Sequence, residues 1–197
     1  MKFIVGALIA GSIGFSFLAT KSVVADTLKS EDIETIDACE SFNINDWWLG
    51  GTKISVETSP ELVKEGKGSL KIVYPVDQNH ETGWLAVTKH SLKMKKPKEI
   101  IFWVKPDAPY ISPQIIDSDG TQVGTDIDNL KIGEWNIVCV RVEDMGMINK
   151  GKDGVLSDLD KLTFAVHPHK SGFKESKDYI YYFDNITMIP AEEKTLK

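Results

Sequence analysis

Short runs of apolar and β-branched residues with a period of two recur along the chain, separated by Gly, Pro, Asn and Asp. Lys53-Ile-Ser-Val-Glu57 alternates, and Ser69–Tyr74 runs as a strand up to Pro75. Gly83–His90, Ile111–Ile116, Thr121–Ile127, Ile137–Val142 and Lys161–Val166 read as further strands. Glu99–Lys105 holds an uninterrupted apolar run and predicts a strand buried on both faces, with Trp103 in the core. Trp135, in Gly133-Glu-Trp-Asn136, is expected to be structural as well. Ile33–Glu40 opens the series and Asp178–Met188 closes it. Asn43–Trp48 holds turn residues followed by two tryptophans, one expected to pack and one to be exposed. Asp144–Asp160, rich in Gly, Lys and Asp, reads as a long loop.

No segment carries a convincing helical period. About ten short strands joined by turn-rich loops predict an all-β fold, an antiparallel sandwich or barrel. Asp117-Ser-Asp-Gly120 is a hairpin signal between two strands. It starts like a calcium loop, but the Gly stands fourth rather than sixth and no Glu follows at the twelfth position. In the closing strand, alternation sets Tyr182, Asp184 and Ile186 on one face and Tyr181, Phe183 and Asn185 on the other. Asp184 therefore needs a partner, because an unpaired buried carboxylate is costly.

The first residues change the domain picture. Met1-Lys2 is a short basic start, Phe3–Ala19 is almost wholly apolar and small, and Val23-Val24-Ala25 supplies small residues at a cleavage site. This predicts a signal peptide over 1–25, with a membrane anchor as the alternative. No Leu-x-x-Cys sequence stands near the cut. A lead-in over 26–32, one domain over 33–190 and a charged tail over 191–197 follow, in a secreted or periplasmic protein.

After cleavage 21 basic and 29 acidic residues remain, so the net charge of -6 becomes -8. The one basic cluster, Lys93-Met-Lys-Lys-Pro-Lys98, is broken by Pro and reads as a solvated loop. Nucleic acid is excluded as a partner on these grounds, and so is a second membrane segment. The two cysteines, Cys39 and Cys139, leave two readings open. A disulfide would stabilise by about 4.7 kcal/mol in the entropic model. Buried free thiols are the other reading.

Six stretches in order carry a family likeness: Ile36-Asp-Ala-Cys-Glu40, Glu65-Gly-Lys-Gly-Ser-Leu-Lys71, Ile101-Phe-Trp-Val-Lys105, Gly133-Glu-Trp-Asn136, Asp160-Lys-Leu-Thr-Phe164 and Phe183-Asp-Asn-Ile186. Together they resemble the β-jelly-roll carbohydrate-binding modules of the galactose-binding-like group, nearest to families 11, 4 and 22. The likeness covers nearly all of 33–190. Cys39 replaces the Phe of the family's first-strand pattern Asp-Phe-Glu, which favours a core role for it.

The resemblance implies a structural calcium ion where the first strand, the loop before the third strand and the last strand meet. Glu40 and Asp184 would give carboxylate oxygens, and the loop Glu65–Gly68, with Glu65 and Lys67, would give the rest. Calcium takes such oxygen ligands. The alternative is that Asp184 caps a turn without a metal.

The resemblance also implies a poly- or oligosaccharide ligand on the concave face. Family 11 tyrosines would fall near Gly50, Gly83 and Val166, none of them aromatic here. Trp48, Trp84 and Tyr110 are the substitutes for stacking, with core packing as the competing role of Trp84. Gln114, Asp117, His90, His167 and His169 are the candidates for hydroxyls. The expected function is non-catalytic glycan binding, alone or with a separate enzyme or surface partner. One alternative is a protein-interaction jelly roll without a sugar site. The other is a small glycosidase or lyase, to which Glu31-Asp-Ile-Glu34 bears a superficial likeness through the acidic strand motif of laminarinase-type enzymes.

Overall fold

Phe183 lies at the centre of the molecule, fully buried between Phe164 at 4.5 Å and Phe102 at 5.9 Å between ring centroids. These three rings come from both layers of an antiparallel β-sandwich. The computed structural model describes residues 33–78, 84–170 and 172–192, and the expected signal peptide, lead-in and end of the charged tail lie outside them. Among the described residues no helix is long and apolar enough to cross a membrane.

The strands are β1 Glu34–Asp37, β2 Trp47–Gly50, β3 Lys53–Glu57, β4 Ser69–Val76, β5 Leu85–Lys89, β6 Met94–Lys95, β7 Pro97–Pro106, β8 Ser112–Ile116, β9 Thr121–Gly124, β10 Asn136–Arg141, β11 Gly146–Lys150, β12 Asp158–Leu159, β13 Lys161–Val166 and β14 Lys177–Pro190. One sheet has the order β10-β7-β14-β4-β3, with β1 pairing onto β14. The other has the order β11-β9-β8-β13-β5-β2, and β12 pairs with β6 apart from both. The period-two pattern explains the layering. Ile100, Phe102 and Val104 of β7 face Leu162, Phe164 and Val166 of β13 across the core, all fully buried. Buried apolar area of this kind stabilises by about 25 cal/mol per Å².

Several expectations need correction. Glu99–Lys105 is not buried on both faces, because Ile101, Trp103 and Lys105 are half-exposed on the outer side. Trp103 therefore lies outside the core, with Lys64 Nζ 4.4 Å from its ring centroid. The closing strand does not alternate throughout. Asn185 adopts a left-handed φ of 43° and the register with β7 slips between Asp184 and Thr187. Asn tolerates this conformation, so the bulge turns Ile186 and Met188 into the core beyond it. The stretch read as a long loop holds β11 and β12, and the turn with two tryptophans and the lysine loop hold β2 and β6. These strands are short or bounded by polar residues, so their periodicity was too weak to stand out.

The cysteines are both free. Cys39 is buried at φ 62° and Cys139 points outward from β10.

Candidate functional site

Every second residue of the β2-to-β11 sheet faces away from the core, and these residues form rows across the strands. Trp48 pairs with Thr88, Thr88 with Thr163, Thr163 with Gln114, and Gln114 with Gly124. Beside it runs a row of small residues, Gly50, Ala86, Ala165 and Ser112. Six strands at about 4.8 Å spacing make this face roughly 24 Å wide. Small side chains in one row and short hydroxyls in the next leave it low along the middle.

Two adjoining depressions occupy it. One, of about 750 Å³, is lined by Trp84, Gln114, Gln122, Asp126, Ile148 and His167, among others. The other, of about 320 Å³, is lined by Trp48, Trp84, Thr88, His90, Lys161 and Thr163, among others. Trp84 and Gln122 belong to both, so the two form one groove. Its walls carry exposed tryptophans, Trp48 at 54% and Trp84 at 45%. Its floor is hydrogen-bonded: Thr88 Oγ1 and Thr163 Oγ1 are 2.8 Å apart, and Gln122 Nε2 donates to Gln114 Oε1 at 2.7 Å.

Trp48, Trp84, Gln114, His90 and His167 are thus brought together along one groove. Trp84 is not a core residue. His169 is exposed outside the groove. Tyr110 and Asp117 are placed elsewhere. Tyr110 is only 1% exposed, packed edge-on against His167 and Phe173, and its hydroxyl donates to Asp126 Oδ1 at 2.7 Å. No face of that ring is open to a sugar. Asp117 is equally buried because it braces the β8–β9 turn. Its Oδ1 accepts from the amides of Asp119 and Thr121, and its Oδ2 from the amide and hydroxyl of Ser157.

The positions of the absent family tyrosines have aromatic neighbours. The Trp48 indole covers Gly50, with Cζ3 2.6 Å from where a Cβ would stand. Trp84 follows Gly83, and His167 follows the fully buried Val166. Thr88, Thr163 and Gln122 were not among the sequence candidates. Their signal was the alternation with Val87, Phe164 and Val123, which sets them on the outer face of their strands.

Asp126, at one end of the groove, is held by Tyr110 and by Lys170 Nζ at 3.0 Å. Burial pushes its carboxyl up, but the hydrogen bonds from Tyr110 and Lys170 outweigh that and keep it below the usual aspartate range.

The expected calcium residues lie against the other sheet. Asp184 is fully buried, and its Oδ2 accepts from the amides of Lys64 at 2.8 Å and Glu65 at 3.0 Å. Its Oδ1 is buried with no hydrogen-bond partner. Burial raises the pKa of this carboxyl despite those amides. Glu40 Oε1 accepts from the Lys67 amide at 3.1 Å and lies where a side chain on Gly66 would be. The two Glu65 oxygens are taken by Trp103 Nε1 at 2.8 Å and Asn185 Nδ2 at 2.6 Å. Among the described residues no three side chains of His, Cys, Asp or Glu form a metal cluster.

No family model and no curated protein matches the chain. Solved structures do match in fold. The family 11 carbohydrate-binding module of a cellulosomal cellulase of Clostridium thermocellum is 17% identical, with a TM-score of 0.56 over 83% of this chain and 97% of that one. The family 11 module from Clostridium thermocellum in complex with a β-1,3-1,4-mixed-linked tetrasaccharide is 18% identical, with a TM-score of 0.56 over 82% and 97%. An exo-β-agarase matches at 11% identity and a TM-score of 0.55, over 83% of this chain and only 26% of its own. The fold is that of the β-sandwich carbohydrate-binding modules.

Proposed function

We propose that the protein is an exported, non-catalytic carbohydrate-binding protein that holds a poly- or oligosaccharide chain in the groove between Trp48 and Trp84. The observation that carries this reading is the pair of exposed indoles over a hydrogen-bonded polar floor on one sheet face. Solvent-exposed aromatic rings offer flat apolar surface to the CH faces of sugars. Gln122, His90 and Lys161, half-exposed along the groove, meet the hydroxyls above the buried Thr88–Thr163 floor, and a few placed polar groups in a largely apolar cleft suit a ligand site. The match of fold to modules of carbohydrate-active enzymes supports the same reading.

A glycosidase needs two carboxyl groups across the scissile bond. Asp126 is the carboxylate among the described residues lining the groove, and it is tied to Tyr110 and Lys170, which favours binding over hydrolysis. Binding to a set of soluble and insoluble glycans, with Trp48→Ala and Trp84→Ala as controls, tests the reading. A second reading, a protein-interaction domain, is favoured by Ile137 on the edge strand β10 and Ile132 just before it, exposed at 57% and 58%. Saturable protein capture without any glycan binding would select it.

We also propose that a calcium ion sits between Asp184 and Glu40. The unpartnered Oδ1 of Asp184 supports this, because a cation would offset the cost of burying it. With only two carboxylates to share, the ion would take its remaining oxygens from the backbone of the Lys64–Gly68 loop. Glu65 is a brace for that loop rather than a ligand in this account. When bound, the ion would tie the chain after β1 to β14 through electrostatic cross-linking. Chelation should lower Tm, and Asp184→Ala should abolish the difference.

A further inference from the structure

We infer that the groove is built for an N-acetylated amino-sugar chain, an inference that rests on the glycan-binding reading above. Its basis is the pairing of two amides beside an apolar wall. Gln122 Nε2 donates to Gln114 Oε1, and Gln114 is 5% exposed in the groove floor. A side-chain amide has one carbonyl and two N–H donors. The Gln–Gln bond uses one carbonyl and one N–H, leaving the Gln122 carbonyl, the second Gln122 N–H and the Gln114 amino group to a ligand. If both amides were turned over, one carbonyl and one amino group would still be left. A hydroxyl satisfies either of these alone. An acetamido group satisfies both, since its N–H donates to one and its carbonyl accepts from the other.

The methyl of such a group has a place next to the amides. Gly124 lies opposite Gln114, and a point above its Cα is 2.7 Å from Ile148 Cδ1 and 2.8 Å from Gln114 Cγ. The tip of Ile148 therefore leans over the stem of Gln114. Met147 lines the same depression, and both apolar side chains are about half exposed. Exposed apolar groups clustered beside polar ones mark a contact surface. A glucose chain would place only a hydroxyl there and leave Ile148 and Met147 wet. Gly124 itself is required, because any Cβ there would push out Ile148 or Gln114.

Calorimetric titration of the full chain separates the possibilities with three oligomers of one length and one β-1,4 linkage. They are the N-acetylglucosamine oligomer, its de-N-acetylated form and the glucose oligomer. The expected result is binding of the acetylated oligomer at least tenfold tighter than either other. Gln122→Leu and Ile148→Asp should each remove most of that preference, with melting curves confirming that both variants fold. Equal or tighter binding of the glucose oligomer would overturn the inference and leave the groove reading standing. Binding of none of the three at millimolar concentration would also overturn the inference, while the groove reading falls only if the wider glycan set fails as well.

Discussion

The indole of Trp48 occupies the space that a side chain on Gly50 would fill, two residues further along the same strand. Its ring is thereby laid over the small-residue row of the sheet. Gly50→Val should displace it and weaken glycan binding about as much as Trp48→Ala. A loss of ten- to a hundredfold is expected for an aromatic anchor of this kind. Calorimetry on both variants checks this. Tm should fall only by a few degrees for Trp48→Ala, less than for a core ring, because Trp48 is 54% exposed.

Phe183→Ala should act on stability alone. The ring is fully buried against Phe102 and Phe164, and truncation of such a ring costs about 3–5 kcal/mol. For a domain of this size that lowers Tm by roughly 10 °C or more, measurable by calorimetric scanning.

The Tyr110–Asp126–Lys170 contact gives a pH signature. The folded Asp126 carboxyl sits below the ordinary aspartate value, so the contact stabilises the fold above the unfolded pKa and loses that effect as pH falls through the folded one. Asp126→Asn should therefore lower Tm at neutral pH, and the gap to wild type should close in acid. Partial exposure keeps the effect modest. Melting curves from pH 7 downwards test it.

Thiol labelling tests the cysteine assignment. One equivalent should react in the native protein, at Cys139, and a second only after unfolding exposes Cys39. Cys139→Ser should abolish native labelling. Burial raises both thiol pKa values, so the native reaction should be slow at neutral pH.

Much of the fold was legible because period two and turn residues report a sandwich directly. The hairpin Asp117–Gly120 and the strands β3, β4, β7, β10, β13 and β14 were readable within a few residues. The bulge at Asn185 was not, since a left-handed residue leaves no mark on a hydrophobic pattern. β11 was missed because all five of its residues are exposed, so no buried face shapes its sequence. The site was half legible. Trp48, Trp84 and Gln114 drew attention by residue type. Tyr110 drew it for the same reason, and only packing reveals that its ring is enclosed. Thr88 and Thr163 gain meaning from being cross-strand neighbours, a relation that local sequence does not contain.

The most direct test of the central claim is glycan binding by the wild-type chain beside the double variant Trp48→Ala/Trp84→Ala. The expected result is saturable binding by the wild type and none detectable by the variant, with melting curves showing that both proteins are folded. Equal binding by both proteins, or no glycan bound by the wild type at millimolar concentration, would contradict the claim.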